Sequence, residues 1–311
     1  MKRFLKFLFR SILFIFILVN IVVAFNAYKF THFYDPTEVV KKPNSEKSTW
    51  DKTKEILFGI NAVKKINQAA DTNFQTIYLT TKDGIKLSAW YIPVANAKGT
   101  VALFHGHGGN KTDVLPEAAE FRKLGYNTLL TDFRAHGNSG GNTCTIGYKE
   151  AEDVKLLYDY LKNKGEKNIV LWGISLGAAT ITKAINDYDL LPQKIILEMP
   201  FGDLLSAAEG RIKMMHLPAE PLSALLTFWG GAEHGFWAFG MKPYEYAKKI
   251  SCPVLLQWGR HDPRVTETEI QKIYANIPTQ KKLVVYENSG HQSLCINEHL
   301  KWVNEITSFL Q

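Results

Sequence analysis

The sequence predicts an open, mostly parallel α/β sheet of eight strands with helices on both faces. Three observations carry that prediction. Apolar runs of strand length at 100–104, 126–131, 168–172, 194–198, 253–258 and 281–286 alternate with stretches of helical periodicity. Their continuous apolarity suits strands buried on both faces. The run Asn168-Ile169-Val170-Leu171-Trp172 passes through Gly173-Ile174-Ser175-Leu176-Gly177 into the Ala-rich stretch from Ala178, which reads as strand, sharp turn and helix.

The remaining elements follow in order. Residues 74–80 and 85–92, joined at Lys82-Asp83-Gly84, form an antiparallel hairpin ahead of the parallel strands. Crossover helices are expected near 113–124, 147–163, 176–187, 266–276 and 294–310. The interval 201–250 is too long for a bare loop and carries Leu204, Ile212, Leu222 and Leu225 at helical spacing, so it reads as a helical cap inserted between two strands. Its Phe228-Trp229 and Phe236-Trp237-Ala238-Phe239 segments, set among glycines, suit either a mobile apolar lid over Ser175 or ordinary packing of the cap on the body.

The chain divides into residues 1–28, 29–73 and 74–311. Lys2, Arg3, Lys6 and Arg10 precede an apolar stretch from Ser11 to Phe25 interrupted only by Asn20, which predicts a transmembrane helix. Basic residues in front keep that end in the cytoplasm and put the body on the far side. An uncleaved anchor, a signal peptide cut after Val22-x-Ala24, and an interfacial helix all fit such a stretch. Residues 29–73 form a basic connection with a short amphipathic helix expected between Asp51 and Ala70, packed on the body or lying at the membrane surface.

The net charge of +7 is local. Residues 1–70 hold twelve Lys/Arg against five Asp/Glu, and residues 71–311 hold twenty-five of each. The body is neutral and has no basic, aromatic-interleaved platform for nucleic acid. Cys144, Cys252 and Cys295 form no motif, and no pairing among them is assigned.

The chemistry-bearing residues close separate strands. Ser175 sits at the tip of its turn, Asp262 follows 253–258 in Gly259-Arg260-His261-Asp262, and His291 follows 281–286 in Ser289-Gly290-His291. Ligand-facing groups of such sheets gather at the carboxyl ends of the strands. A serine hydroxyl needs an imidazole to take its proton, and a carboxylate to fix the imidazole tautomer and stabilise the imidazolium. Ser175, Asp262 and His291 are the candidate nucleophile, acid and base. Glu198, which also ends a strand, is the rival acid, and Asp203 a weaker one. The backbone N–H of Leu176, with that of His107 in His105-Gly106-His107-Gly108-Gly109-Asn110, is the candidate oxyanion hole. The imidazoles of His105 and His136 read as braces of these loops. No third ligand at zinc-like spacing accompanies His105 and His107, so no metal site is expected.

From Phe74 to Gln311 the chain resembles serine hydrolases of the α/β-hydrolase superfamily, on H-G-H-G-G-N (105–110), D-F-R-A-H-G-N-S-G-G (132–141), G-I-S-L-G (173–177), G-R-H-D (259–262) and S-G-H (289–291), in family order. It is most similar to the branch that holds monoacylglycerol-lipase-like and serine-aminopeptidase-like enzymes. The resemblance implies an esterase-type reaction on an apolar acyl substrate with Ser175, Asp262 and His291 in the roles above and no cofactor. Peptidase, amidase, thioesterase and acyltransferase chemistry use the same apparatus, and a non-catalytic, membrane-tethered binding protein that keeps the fold is the reading from another class. Ala135 stands where relatives carry Gly.

Overall fold

The computed structural model describes residues 1–39, 43–70 and 72–311. It opens with a thirty-residue helix, α1 (Lys2–Thr31), which continues three residues past the expected 1–28 segment. The two-residue strands β1 (Phe33–Tyr34) and β2 (Ala62–Val63) pair in parallel. Between them lies α2 (Thr49–Phe58), started by a reciprocal cap in which the Ser48 hydroxyl accepts from the Asp51 N–H and the Asp51 carboxylate accepts from the Ser48 N–H. The amphipathic helix is thus shorter than the sequence pattern predicts. It stops at Gly59, whose φ of 77° and close approach to the Lys29 side chain leave no room for a Cβ. Phe58 meets Phe25 edge-on at 5.6 Å, so α2 docks on α1.

The main sheet holds β3 (Gln75–Thr80), β4 (Lys86–Ile92), β5 (Thr100–Phe104), β6 (Asn127–Thr131), β7 (Ile169–Ile174), β8 (Lys194–Glu198), β9 (Val254–Gly259) and β10 (Lys281–Tyr286). Their spatial order is β10-β9-β8-β7-β5-β6-β4-β3. β3 and β4 pair antiparallel, as do β4 and β6, and every other pairing is parallel. All residues of β5, β6 and β9 are buried, which fits the apolar centres of these strands. The helices of the body are α3 (Leu115–Lys123), α4 (Glu150–Asn163), α5 (Leu176–Tyr188), α9 (Glu267–Asn276), the short α10 (Leu294–Asn297) and α11 (His299–Leu310). α4 packs on α5, and α3 meets α11 where Phe121 lies edge-on to Trp302 at 5.6 Å. The chain leaves β5 toward β6 on one side and resumes with β7 on the other. That makes the carboxyl ends of β5 and β7 the switch point where such sheets open a crevice.

The insertion between β8 and β9 carries α6 (Leu204–Met214), α7 (Leu222–Ala232) and α8 (Pro243–Tyr246). α7 packs along α1. Cys144, Cys252 and Cys295 are buried and unpaired.

Two glycines predict different costs. A Cβ on Gly177 would lie 2.2 Å from the Phe104 carbonyl oxygen, whereas Gly84 has a φ of +83° with open space around it. Gly84→Ala should lower Tm by the few degrees that follow from about 1 kcal/mol of left-handed backbone strain. Gly177→Ala must push β5 away from α5, and calorimetry should show at least three times that shift.

Candidate active site

β7 delivers Ser175 into a backbone conformation of φ 53° and ψ −114°, outside the ordinary regions for a residue with a side chain. Its neighbours hold it there. The Ser175 N–H donates to the Glu198 carbonyl at 2.8 Å, and its carbonyl accepts from Ala179 N–H at 3.0 Å in the first turn of α5. A Cβ at Gly173 would come within 2.6 Å of the Gly177 backbone, so both glycines of the turn are sterically required.

The loops after β9 and β10 meet this turn. His291 Nε2 lies 2.9 Å from Ser175 Oγ, and His291 Nδ1 lies 2.6 Å from Asp262 Oδ2. The other carboxylate oxygen, Asp262 Oδ1, accepts from the N–H groups of Arg264 at 2.7 Å and Val265 at 3.0 Å. Asp262 therefore closes its own turn and orients the imidazole with separate oxygens. Its side chain is fully buried. Gly259 lets the two loops touch, because a Cβ there would be 2.5 Å from the Gly290 carbonyl oxygen. In front of Ser175 lies a cavity of about 280 Å³, reached by Gly106, Gly108, Trp172, Arg264, Glu117 and Asp113 among others.

A family model described as Hydrolase_4, serine aminopeptidase S33, matches residues 95–226. The uncharacterized protein YqkD of Bacillus subtilis is 27% identical over 70% of this chain and 72% of its own length. The lysophosphatidylserine lipase ABHD12 of Macaca fascicularis is 26% identical over 60% of this chain and 47% of its own. Among solved structures, the Pyrococcus furiosus esterase Pf2001 superposes with a TM-score of 0.67 at 25% identity, covering 79% of this chain and 95% of that one. The chain has the α/β-hydrolase fold.

The rival acids lie elsewhere. Asp203 caps α6 by accepting from the Ser206 N–H. Glu198 is fully buried, and its Oε1 accepts from the indole N–H groups of Trp172 at 3.0 Å and Trp302 at 2.6 Å and from Gln257 Nε2 at 3.2 Å. Burial, then the nearby Glu117 carboxyl, pushes its pKa up to about 8. It has no hydrogen bond to His291. It holds a proton beneath the turn.

The oxyanion candidates lie beside Ser175. Neither the His107 nor the Leu176 N–H has a hydrogen-bond partner among the described residues. Three imidazoles brace the loop, all driven neutral by burial. His105 Nε2 accepts from the Phe133 N–H at 3.1 Å, and His136 Nε2 accepts from the Gly108 N–H at 3.1 Å. The His107 imidazole, its pKa lowered to about 3 by burial and then by Arg211, bonds the Phe30 carbonyl at 3.1 Å and packs on the rings of Phe30 and Phe33. Among the described residues no group of three or more metal-ligating side chains gathers here or elsewhere.

Two features escape a sequence reading. The cap does not supply the residues around the cavity, since none of 201–250 lines it; its Trp229 turns toward α1 and its Phe236 stacks on Tyr148 instead. The cavity is lined instead by polar groups, among them Glu117, 1% exposed, with one oxygen accepting from Ser293 and the other unpartnered. Glu117 precedes Phe121 by four residues, on the buried stripe of α3, and a carboxyl on that stripe is the one signal that marks it. The contact of α1 with the oxyanion loop has no local sequence signal.

The raised pKa of Glu198 carries a sign. The folded chain binds this proton more tightly than the unfolded chain, so the associated stability is present below the ordinary carboxyl range and is lost as pH rises to about 8. Glu198→Gln removes that dependence, so its Tm relative to wild type should improve between pH 5 and pH 8. Phe33, 2% exposed against His107 and His136, ties α1 to the site. Phe33→Ala should cost about 3–5 kcal/mol in denaturant unfolding, the range for an aromatic deleted from a core.

Proposed function

We propose that the chain is a serine esterase in which Ser175, His291 and Asp262 act as nucleophile, general base and orienting acid. The hydrogen-bonded row from Ser175 Oγ through His291 to Asp262 Oδ2, at 2.9 and 2.6 Å on a turn that faces a cavity, carries this reading. His291 Nε2 takes the serine proton as Oγ adds to the ester carbonyl. The N–H groups of His107 and Leu176 hold the oxyanion, each donor contributing about 10²–10³ in rate. The imidazolium, stabilised by Asp262, returns the proton to the departing alkoxide. A water then attacks the acyl-serine by the same path and frees the acid.

Asp113, Glu117 and Arg264 around the cavity favour an ester that carries a polar group beside its acyl chain. The names of two similar proteins, an esterase and a lysophosphatidylserine lipase, point the same way. α1 acts as a retained anchor. Asn20, Thr31 and Phe30 are bonded to Trp229, His234 and His107, contacts that cleavage after Ala24 would remove or leave without their helix. The basic residues at 2–10 keep the amino end inside and the catalytic body outside the cytoplasm.

A fluorophosphonate probe tests the nucleophile. Wild type should label, and Ser175→Ala should not. Asp262→Asn should keep the fold and lower kcat on nitrophenyl esters by about 10³–10⁴. A labelled Ser175→Ala, or an Asp262→Asn variant of normal rate, overturns these assignments.

A further inference from the structure

The cap helix α7 is built inside out for a protein in water. None of its eleven residues is charged. The side it buries is small and partly polar, Ser223, Thr227 and Gly231 at four-residue spacing. The apolar residues Leu222, Leu225 and Leu226 are only half buried, and Phe228 is 43% exposed. A surface helix in water shows the opposite arrangement, whereas small residues toward the partner and large apolar residues outward suit a helix among acyl chains. Met214 at the end of α6, and Met215 and Leu217 in the turn that follows it, are exposed as well.

The neighbour of α7 fixes its depth. Trp229 Nε1 donates to Asn20 Oδ1 at 3.1 Å, which gives the one polar residue of the apolar stretch a partner. Asn20 lies five residues before Phe25, about 8 Å inside the outer end of that stretch at 1.5 Å per residue. Between the helices runs a groove of about 830 Å³ lined mostly by apolar side chains, Phe16, Ile17, Ile21, Phe25 and Trp229 among them, with Asn20, Tyr28 and Glu233 as its polar members. α7 is about 17 Å long, half the hydrocarbon thickness, so it enters one leaflet without crossing it. Its first and last turns find internal partners: Ser223 N–H donates to the Ala219 carbonyl at 2.7 Å, and Glu233 N–H to that of Trp229 at 3.0 Å.

We infer that α7 lies in the outer leaflet beside α1, with lipid acyl chains covering its outer face and filling the α1–α7 groove. The inference rests on α1 being a retained anchor. Its consequence is positional. The last turn of α1 bonds the oxyanion loop through Phe30, so the cavity at Ser175 sits at the membrane surface, where an amphiphile presents its ester without leaving the bilayer.

The full chain in phosphatidylcholine vesicles, with or without acyl chains brominated near mid-depth, tests this. The emission that distinguishes wild type from Trp229→Phe should fall roughly twofold or more in brominated vesicles, as expected for an indole below the headgroups. The extra emission of Phe228→Trp should fall likewise, which keeps the test independent of how Trp229→Phe folds. Flotation of the same samples separates the two readings. If the chain floats with the vesicles and neither emission is quenched, water or protein covers α7 and the inference fails while the anchor stands. If the chain does not float, both fail.

Discussion

The site depends on one strained residue. A serine at φ 53° and ψ −114° persists only where its surroundings over-determine it. The Ser175 N–H is held by Glu198, its carbonyl caps the start of α5, and the glycines on either side allow β5, β7 and α5 to approach more closely than any side chain would permit. Strain of this kind costs of order 1–3 kcal/mol, which the fully buried strands on either side outweigh. In return Oγ stands clear of the sheet at the height where the loops after β9 and β10 arrive, and the Leu176 N–H is left without an intrahelical partner. The proposed nucleophile and one proposed oxyanion donor are thus two results of the same backbone bend.

Around that bend the loops are set by buried polar groups and not by apolar packing. Lys111 and Asp132 are paired at 2.5 Å with no exposure, and Asp132 also accepts from the N–H groups of Lys111 and Asn138. Arg134 meets Asp153 through its backbone N–H and its guanidinium. Removing one partner from such a pair costs about 3–5 kcal/mol, because the other charge is left buried. The first pair joins the loop after β5 to the loop after β6, the second ties the latter loop to α4, and His105 and His136 close the same frame as neutral imidazoles. A neutral ring accepts an N–H on one nitrogen, which a protonated ring would not, so their depressed pKa values are a condition of the frame. Ala135 sits inside it at φ 64°, where the resemblance leads one to expect Gly. The buried methyl is carried at the strain of a left-handed residue, about 1–2 kcal/mol.

The sheet was legible because burial on both faces writes itself as continuous apolar runs, and the order serine, acid, histidine was legible because each closes one of those runs. Asp262 and Glu198 could not be separated by position, as both end strands. What separates them is environment: Asp262 faces an imidazole and two N–H groups, while Glu198 is enclosed by two tryptophans and keeps its proton. The cap was legible as an insertion but not in its orientation. The composition of Phe228-Trp229-Gly230-Gly231 is equally that of a lid and of a helix that docks on another helix; only the contact with Asn20, 209 residues away, decides. The same holds for Phe33 in the core and for Glu117 at the cavity, whose partners are set by tertiary packing and leave weak traces in local periodicity.

The N-terminal helix is therefore more than a tether. A tether would need only length and hydrophobicity, and its junction with the body would be free to vary. Here the junction is specified: Thr31 accepts the Cys144 N–H and bonds the His234 ring, Phe33 donates to the Asn142 carbonyl, Arg211 of the cap lies over the Phe30 ring, and the Phe30 carbonyl meets the imidazole of the residue proposed to hold the oxyanion. A donor contributes to catalysis only if it is already aimed when charge develops. The aim of His107 is set from one side by the buried frame of the body and from the other by the last turn of α1. On the proposed anchoring, orientation in the bilayer and alignment of the proposed oxyanion loop become one structural property, because Phe30 in the last turn of the apolar helix and Phe33 just after it both meet His107.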